Sequence, residues 1–279
     1  MHIPQLSVTV SSIRSSSAPI VLQGDWGEQI AKAKALGYHQ VELHIRNPKS
    51  IDADSILHVL DQTAVQVPAI GTGQTYSVDH LSFSSLDMAI RQAAVQRIKE
   101  QIRLASFLKA QVIMGSVRGS LPKDEPEQKT AYYVLVDCIK DCLDEAERYG
   151  VDLSLEAINR YETNVWNSAA ETAAFIQGLG SKRLGLHLDT FHMNIEEVSL
   201  EETIREHGRI LSHIHLADSN RLAPGQGHID FLQVIGALKD VGYRGSLGLE
   251  YLPLPEPETA ATQGLDHLQS ILKTVYSRP

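Results

Sequence analysis

At 279 residues and 30.8 kDa, the chain could form two average domains, but it also matches a single (β/α)8 barrel of about 250 residues. Its 43% hydrophobic and 21% charged residues are near the globular average, which excludes a disordered or fibrous protein. The net charge of −9 and the scattered lysines and arginines give no basic surface for nucleic acid, so we expect no nucleic-acid partner.

The cysteines and the N-terminal residues predict a cytoplasmic protein. Cys138 and Cys142 lie four residues apart with no second pair, so neither a disulfide framework nor a cysteine-only zinc site is expected. Residues 1–30 contain no basic start followed by an apolar run. No stretch reaches the roughly 18 apolar residues of a membrane span, and we therefore expect no membrane partner.

Eight apolar runs are typical of buried parallel strands, and a helical pattern follows each of them. The predicted strands are Leu6–Val10, Gln40–Ile45, Val65–Gly71, Gln111–Val117, Asp152–Ile158, Arg183–Asp189, Leu211–Asp218 and Ser246–Leu252. The predicted helices are residues 26–36, 52–62, 86–109, 128–149, 168–178, 199–207, 230–241 and 256–276. Strict alternation of strands and helices predicts a parallel sheet, and eight units predict an α/β fold of one closed TIM barrel. No linker divides the chain, so we predict a single domain over residues 1–279.

Polar residues occupy the ends of the last four predicted strands, namely Glu156, Asp189, His215 and Glu250. The carboxyl ends of barrel strands meet at one face, where barrel enzymes keep their active sites. Charged groups are rarely buried unless they are paired or bind metal, although one glutamate alone could simply form a salt bridge. Three carboxylates and one imidazole suit Mn²⁺, Mg²⁺ or Co²⁺, and we predict one divalent cation there, Mn²⁺ first among them.

Side-chain alternation supports this hypothesis, because residues two apart on a strand share a face. Ser154, His187, His213 and Gly248 precede the four proposed ligands by two positions and would face the barrel lumen with them. We expect His213 to lie one layer deeper as a hydrogen-bonded residue and not as a ligand.

Further polar residues follow the proposed ligands in the same loops, and two arginines stand at other strand ends. Glu162, His192 and Arg221 are candidates for binding the oxygens of a polyhydroxy substrate, although a lone His192 would more often be a surface histidine. Arg46 and Arg118 follow the second and fourth strands, where each could pair with a substrate carboxylate or with a neighbouring acid. The Gly71–Gln74 segment lacks the full dinucleotide fingerprint and is interpreted as a turn.

Three strings in the second half of the chain resemble the ketose 3-epimerases, the D-tagatose and D-psicose 3-epimerase family of the xylose-isomerase-like barrels. They are Leu155–Glu162 (LEAINRYE), Leu188–Glu197 (LDTFHMNIEE), and His213–His215 followed by Asn220–Gly227 (NRLAPGQG). The resemblance implies that Glu156, Asp189, His215 and Glu250 hold the metal and that Glu162, His192 and Arg221 bind the carbonyl end of the substrate. It also implies a homodimer or homotetramer.

Loops of the first half most resemble the 5-keto-L-gluconate epimerase group within that family. The similar segments are Ala69–Gln74, Val117–Gly119 and Leu252–Pro255. This resemblance implies a keto-sugar acid of the 5-keto-L-gluconate or D-tagaturonate type as substrate, with Arg46 and Arg118 as the residues that bind its carboxylate.

The chemistry implied is inversion of the carbon next to a ketone through an enediolate, which needs a proton acceptor and a proton donor on opposite faces. Glu156 and Glu250 are the candidates for this acid–base pair. Three alternatives remain at this stage: a free ketose 3-epimerase acting on tagatose, psicose or fructose, an aldose–ketose isomerase, and a non-catalytic protein that binds sugar acids. A metal-dependent abasic-site nuclease would need clustered metals and a basic groove, and because the sequence shows neither, we do not expect this activity.

Overall fold

The computed structural model describes residues 2–277, which form nine strands and ten α-helices. The strands are β1 Leu6–Ser11, β2 Leu22–Gln23, β3 Gln40–His44, β4 Ala69–Gly71, β5 Gln111–Met114, β6 Leu153–Glu156, β7 Leu184–Asp189, β8 Leu211–His215 and β9 Leu247–Leu249. The helices are α1 Trp26–Leu36, α2 Ala53–Thr63, α3 Gln74–Ser77, α4 Met88–Leu108, α5 Glu125–Tyr149, α6 Ala169–Leu179, α7 Thr190–Glu196, α8 Leu200–His207, α9 Phe231–Asp240 and α10 Pro257–Tyr276.

The strands form one closed parallel barrel. Within the described residues, β1 and β3 to β9 follow one another in sequence order, and β9 pairs with β1 to close the ring. The two-residue β2 pairs only with β1 at the rim. Each of the eight predicted strands overlaps an observed one, and the predicted TIM barrel is confirmed.

Seven of the eight barrel strands are shorter than predicted and β1 is one residue longer, while one short strand and two short α-helices were not predicted. The segment Val65–Gly71 contributes only Ala69–Gly71, because Pro68 has no N–H to donate to a ladder; before it, Gln66 makes one isolated bridge to Gln40. The unpredicted elements are β2, α3 and α7. The first turn of α7 directly follows Asp189, at the end of β7.

The register places the predicted ligand positions at the mouth of the barrel. Along the ladders, Glu156 is opposite His187, and Asp189 is opposite His215. The intervening apolar residues are buried in the core shared by barrel and helices, namely Leu155, Leu186, Leu188, Ile214, Leu216 and Leu249. The alternation predicted from the sequence is therefore the alternation observed.

Helix ends follow signals that are visible in the sequence. Ser168 and Glu171 form a reciprocal capping box at the start of α6, and Gly150 ends α5 in the left-handed conformation with φ 67°. None of the helices in residues 2–277 combines the length and the apolar character needed to cross a bilayer.

Candidate active site at the carboxyl ends of the strands

A cavity of about 350 Å³ opens at the carboxyl ends of the strands, within the usual range for small-molecule sites. Its wall includes Glu156, His192, His215, Arg221 and Glu250. A larger cavity of about 920 Å³ lies at the opposite end of the barrel, but its wall contains none of the predicted site residues. We place the candidate site in the smaller cavity because the clustered ionisable groups are there.

The four predicted metal-binding side chains lie close together at the mouth of the barrel, and Glu156, His215 and Glu250 line this cavity. Asp189, His215 and Glu250 each offer an atom within 4.8 Å of the others, and Glu156 does the same with Asp189 and His192. The Nδ1 atom of His215 lies 3.4 Å from Oε2 of Glu250. Nδ1 of His215 and Oδ2 of Asp189 are buried without a hydrogen-bond partner. Such a set of oxygen and nitrogen donors fits a divalent cation, which would satisfy both of these atoms.

Burial and mutual repulsion shift the pKa values of the acidic groups in the cluster. Burial and the charge of Glu250 raise the pKa of Glu156 to about 8. Burial and the same charge raise the pKa of Asp189 to about 7. Burial alone would also raise the pKa of Glu250, but the charge of His215 holds it at about 2. Burial and repulsion thus disfavour the charged forms of Glu156 and Asp189, and a bound cation would offset this cost.

Local structure leaves one face of the aspartate available. Oδ1 of Asp189 accepts a hydrogen bond of 2.9 Å from the backbone N–H of Phe191 and so caps α7, while Oδ2 remains unpaired. Glycine makes room for the neighbouring carboxylate, because a Cβ at position 115 would collide with Oε2 of Glu156. The sequence therefore both orients these two carboxylates and keeps space around them.

The predicted substrate-binding residues Glu162, His192 and Arg221 lie together on one wall. Nη1 of Arg221 donates to Oε1 of Glu162 at 2.8 Å, and Nε of Arg221 is buried without a partner. Nε2 of His192 lies 3.6 Å from Oε1 of Glu156. The Arg221 guanidinium also stacks 4.7 Å from the ring centre of Phe191, which fixes its plane.

Asn159 was not predicted from the sequence, and it links His192 to Glu162 on this wall. Its Nδ2 donates to Nδ1 of His192 at 2.7 Å and to Oε1 of Glu162 at 3.1 Å. Because Nδ1 of His192 accepts, its proton resides on Nε2, the nitrogen that faces Glu156. Asn159 follows Glu156 by three residues in the LEAINRYE string. Its place between two predicted site residues, Glu156 and Glu162, could have indicated that it belongs to the site.

Arg118 lies outside the cavity wall. It is 1% exposed, and its guanidinium donates to the carbonyl oxygens of Gly115 at 3.1 Å, Val165 at 3.2 Å and Glu156. Arg118 lies in the turn after β5, and its side chain points beneath the mouth of the barrel. There its hydrogen bonds connect the turn after β5 to the end of β6 and to the loop that follows it. A substrate carboxylate would have to compete with these carbonyls.

Arg46 also lies outside the cavity wall. Its Nε donates to Oδ1 of Asp79 at 2.7 Å, and Arg97 binds the other oxygen of the same carboxylate. The pairing of Arg46 with a neighbouring acid was the open alternative in the sequence, and it is the arrangement observed. The expectation that the two arginines bind a substrate carboxylate therefore has no geometric support in this cavity.

Glu42 on β3 is a second residue that sequence reasoning missed. It is fully buried and accepts hydrogen bonds from Nε2 of three histidines: His44 at 2.8 Å, His213 at 2.8 Å and His215 at 3.0 Å. Burial alone would raise the pKa of Glu42, but the charge of His215 and these hydrogen bonds hold it well below its usual value. His213 lies one layer below the mouth, and its Nδ1 is 3.2 Å from Nε2 of Gln111.

Known proteins similar to this chain include several sugar epimerases. Residues 30–271 match the model of the xylose isomerase-like TIM barrel family. The D-psicose 3-epimerase of Agrobacterium fabrum is 32% identical over 248 residues, which cover 86% of this chain and 83% of that protein. The L-ribulose 3-epimerase of Mesorhizobium japonicum is 29% identical over 238 residues, covering 82% of this chain and 76% of that protein. A solved structure of an L-ribulose 3-epimerase shares the fold, with a TM-score of 0.83 at 24% identity over 98% of this chain and 96% of that one.

Proposed function

The chain belongs to the ketose 3-epimerases of the xylose isomerase-like TIM barrel family, and we propose that it inverts the carbon next to the ketone of a small keto-sugar with one bound divalent cation. The observation that carries this proposal is the order of the four converging side chains around the barrel. Glu156 is the last residue of β6 and Glu250 follows β9, so the two glutamates flank Asp189 of β7 and His215 of β8. Two carboxylates on either side of one centre are what inversion at carbon requires.

Each glutamate has its own surroundings. Glu156 faces His192 on one side, while Oε1 of Glu250 lies 3.7 Å from Nε2 of His44 on the other. In the proposed mechanism one carboxylate removes the proton from the carbon, and the other, protonated, returns a proton to the opposite face. The reverse reaction exchanges the two roles.

The cation suggested by three carboxylates and one imidazole is Mn²⁺, with Mg²⁺ and Co²⁺ as alternatives. When bound by Glu156, Asp189, His215 and Glu250, it would supply Lewis-acid stabilisation of the charge that develops on the substrate oxygens. The unpaired Oδ2 of Asp189 and Nδ1 of His215 support this assignment.

Arg221, His192 and Glu162 would orient the substrate. Arg221 has a buried Nε–H without an acceptor, and a carbonyl or hydroxyl oxygen of the substrate would satisfy it. His192 presents its Nε2–H beside Glu156, where it would donate to a substrate oxygen next to the reacting carbon. Asn159 holds both His192 and Glu162 in these positions.

A neutral ketose suits this cavity better than the sugar acid expected from the loop resemblance. Arg221 is the one Lys or Arg residue in the described wall, and Glu162 already neutralises it. Glu156 and the charged Glu250 line the same wall. The described wall offers no second lysine or arginine that could pair with a substrate carboxylate, so the free ketose 3-epimerase alternative is the one we propose.

The test is a screen of free ketoses and keto-hexonates with Mn²⁺, followed by NMR in D₂O. We expect a tagatose, psicose or fructose type of ketose to be turned over, with deuterium entering only at the inverted carbon. Transfer of hydrogen to the neighbouring carbon with an aldose product would instead identify an aldose–ketose isomerase. Binding of a sugar acid without any turnover would support the non-catalytic alternative. Association into a homodimer or homotetramer is part of the proposal and is tested by sedimentation of the purified protein.

A further inference from the structure

We propose that Glu42 is a positioning residue that fixes the ring orientation and proton of His215, so that Nδ1 of His215 is presented to the cation. The inference rests on the proposed function in one respect, since it assumes that His215 binds a cation. It assigns a role to a residue of β3, on the side of the barrel that supplies none of the four proposed ligands.

The first step of the argument is the number of hydrogen bonds at Glu42. An ionised carboxylate only accepts hydrogen bonds, so each imidazole nitrogen that faces it must carry a proton. Oε1 receives Nε2 of His44 at 2.8 Å and Nε2 of His215 at 3.0 Å, and Oε2 receives Nε2 of His213 at 2.8 Å and His215 again at 3.0 Å. Glu42 therefore holds the Nε2 proton of all three rings.

The second step is the opposite edge of the His215 ring. With its Nε2–H bound to Glu42, the ring turns Nδ1 towards Oε2 of Glu250, and this nitrogen is buried without a hydrogen-bond partner. A carboxylate that binds the far N–H of a metal-binding histidine fixes its tautomer and raises its basicity. The arrangement around Glu42 has this form.

The third step is the space in which the ring sits. Gly248 of β9 lies beside the cluster, and a Cβ there would come within 2.6 Å of Cδ2 of His215 and 3.2 Å of Oε2 of Glu42. Only glycine leaves room for the imidazole and the carboxylate together. Both the hydrogen bonds and the packing thus restrict His215 to one orientation.

The test compares Mn²⁺ binding by the metal-free parent protein, Glu42→Gln and Glu145→Gln, using calorimetry and the electron paramagnetic resonance of free Mn²⁺. A glutamine has one acceptor oxygen and turns an N–H₂ group towards an imidazole N–H, so it cannot satisfy three donors. We expect Glu42→Gln to weaken Mn²⁺ binding about 10- to 100-fold. Glu145 is a matched control, because it is a 4% exposed carboxylate paired with Arg103 outside the lumen, and its change should leave Mn²⁺ affinity within about threefold.

A second measurement needs no variant of Glu42 and covers the case in which that variant does not fold. In ¹⁵N-histidine-labelled parent protein loaded with Mg²⁺, we expect the His215 proton on Nε2 and the cation-induced shift on Nδ1. A proton on Nδ1 with Nε2 bound to the cation would overturn the inference, as would a folded Glu42→Gln variant with parental Mn²⁺ affinity.

The two proposals fail in different ways. Glu42-dependent Mn²⁺ binding without turnover of any ketose would leave the role of Glu42 intact and contradict the proposed function. Metal-dependent epimerisation with the same Mn²⁺ affinity in the parent protein and in Glu42→Gln would support the proposed function and contradict the role of Glu42. A parent protein that binds no divalent cation would overturn both.

Discussion

The two halves of the barrel contribute to the candidate site in different ways. Strands β6 to β9 end in the four side chains proposed to hold the cation, and their loops carry Glu162, His192 and Arg221. Strands β1 to β5 contribute supporting residues, chiefly Glu42 beneath His215 and Arg118 beneath the backbone of Glu156. The second half of the barrel therefore carries the reactive groups, and the first half holds them in position.

The largest expected effect lies in the second half, at the acid–base pair. Glu156→Gln or Glu250→Gln should lower turnover about 100- to 10,000-fold, because each variant removes a proton carrier that the other glutamate cannot replace. NMR of product formation measures the loss, and circular dichroism checks that the barrel persists. The Glu145→Gln control should stay within a few-fold of the parent protein, and a folded Glu156→Gln variant of parental activity would remove Glu156 from the mechanism.

The next effect concerns stabilisation by metal. At Mn²⁺ concentrations 100 times its Kd, the parent protein should gain about 2.7 kcal/mol of unfolding free energy, seen as a rise in Tm. Asp189→Asn should lose most of this gain, since it removes a buried carboxylate oxygen that has no other partner. Asp152→Asn, at the opposite end of β6, should keep the full Mn²⁺-dependent rise. An unchanged rise in Asp189→Asn would exclude Asp189 as a ligand.

Arg118→Lys tests the supporting half. A lysine cannot reach all the carbonyl oxygens that the guanidinium binds, and each unsatisfied buried carbonyl costs about 1–3 kcal/mol. We expect lower stability in urea and lower turnover, with the same proportional loss on neutral ketoses and on keto-hexonates. A loss confined to keto-hexonates would instead return Arg118 to the recognition of a carboxylate.

The smallest effect is expected at Arg46. Arg46→Ala removes an exposed ion pair with Asp79, which Arg97 still neutralises, so the unfolding free energy should hardly change. The kcat/KM for a neutral ketose and for a keto-hexonate should both stay within about twofold of the parent values. A selective decrease for the keto-hexonate would show that Arg46 reaches the substrate in solution.

Sequence patterns predicted the barrel and brought out Glu156, Asp189, His215 and Glu250, because a polar residue at the end of an apolar run is visible without any knowledge of the fold. The observed register bears out the alternation on which that analysis depended. What could not be predicted from the sequence were the interactions between distant segments. Glu42 stands inside the apolar run of β3, and its contact with His213 spans 171 residues, so nothing in its local sequence indicates its partners.

The directions in which side chains point could not be predicted from the sequence either. Arg118 and Arg46 both stand near strand ends, as the ligands do, but a strand end does not determine which way a residue in the following turn points. Arg118 belongs to the turn after β5 and turns inward to backbone carbonyls, while Arg46 turns outward to Asp79. The competing acceptors that decide these directions come from segments elsewhere in the chain.

Closure of the barrel between β1 and β9 also governs when the site can exist. The seam is joined by strand pairing and by the Thr9 hydroxyl, which donates to the carbonyl oxygen of Leu249 at 3.1 Å across 240 residues. Glu42 leaves the ribosome before His215, and Gly248 and Glu250 follow after both. A nascent chain therefore cannot assemble this arrangement of side chains before Glu250 has been synthesised, because the barrel strands lie in sequence order and the last of the four groups follows β9.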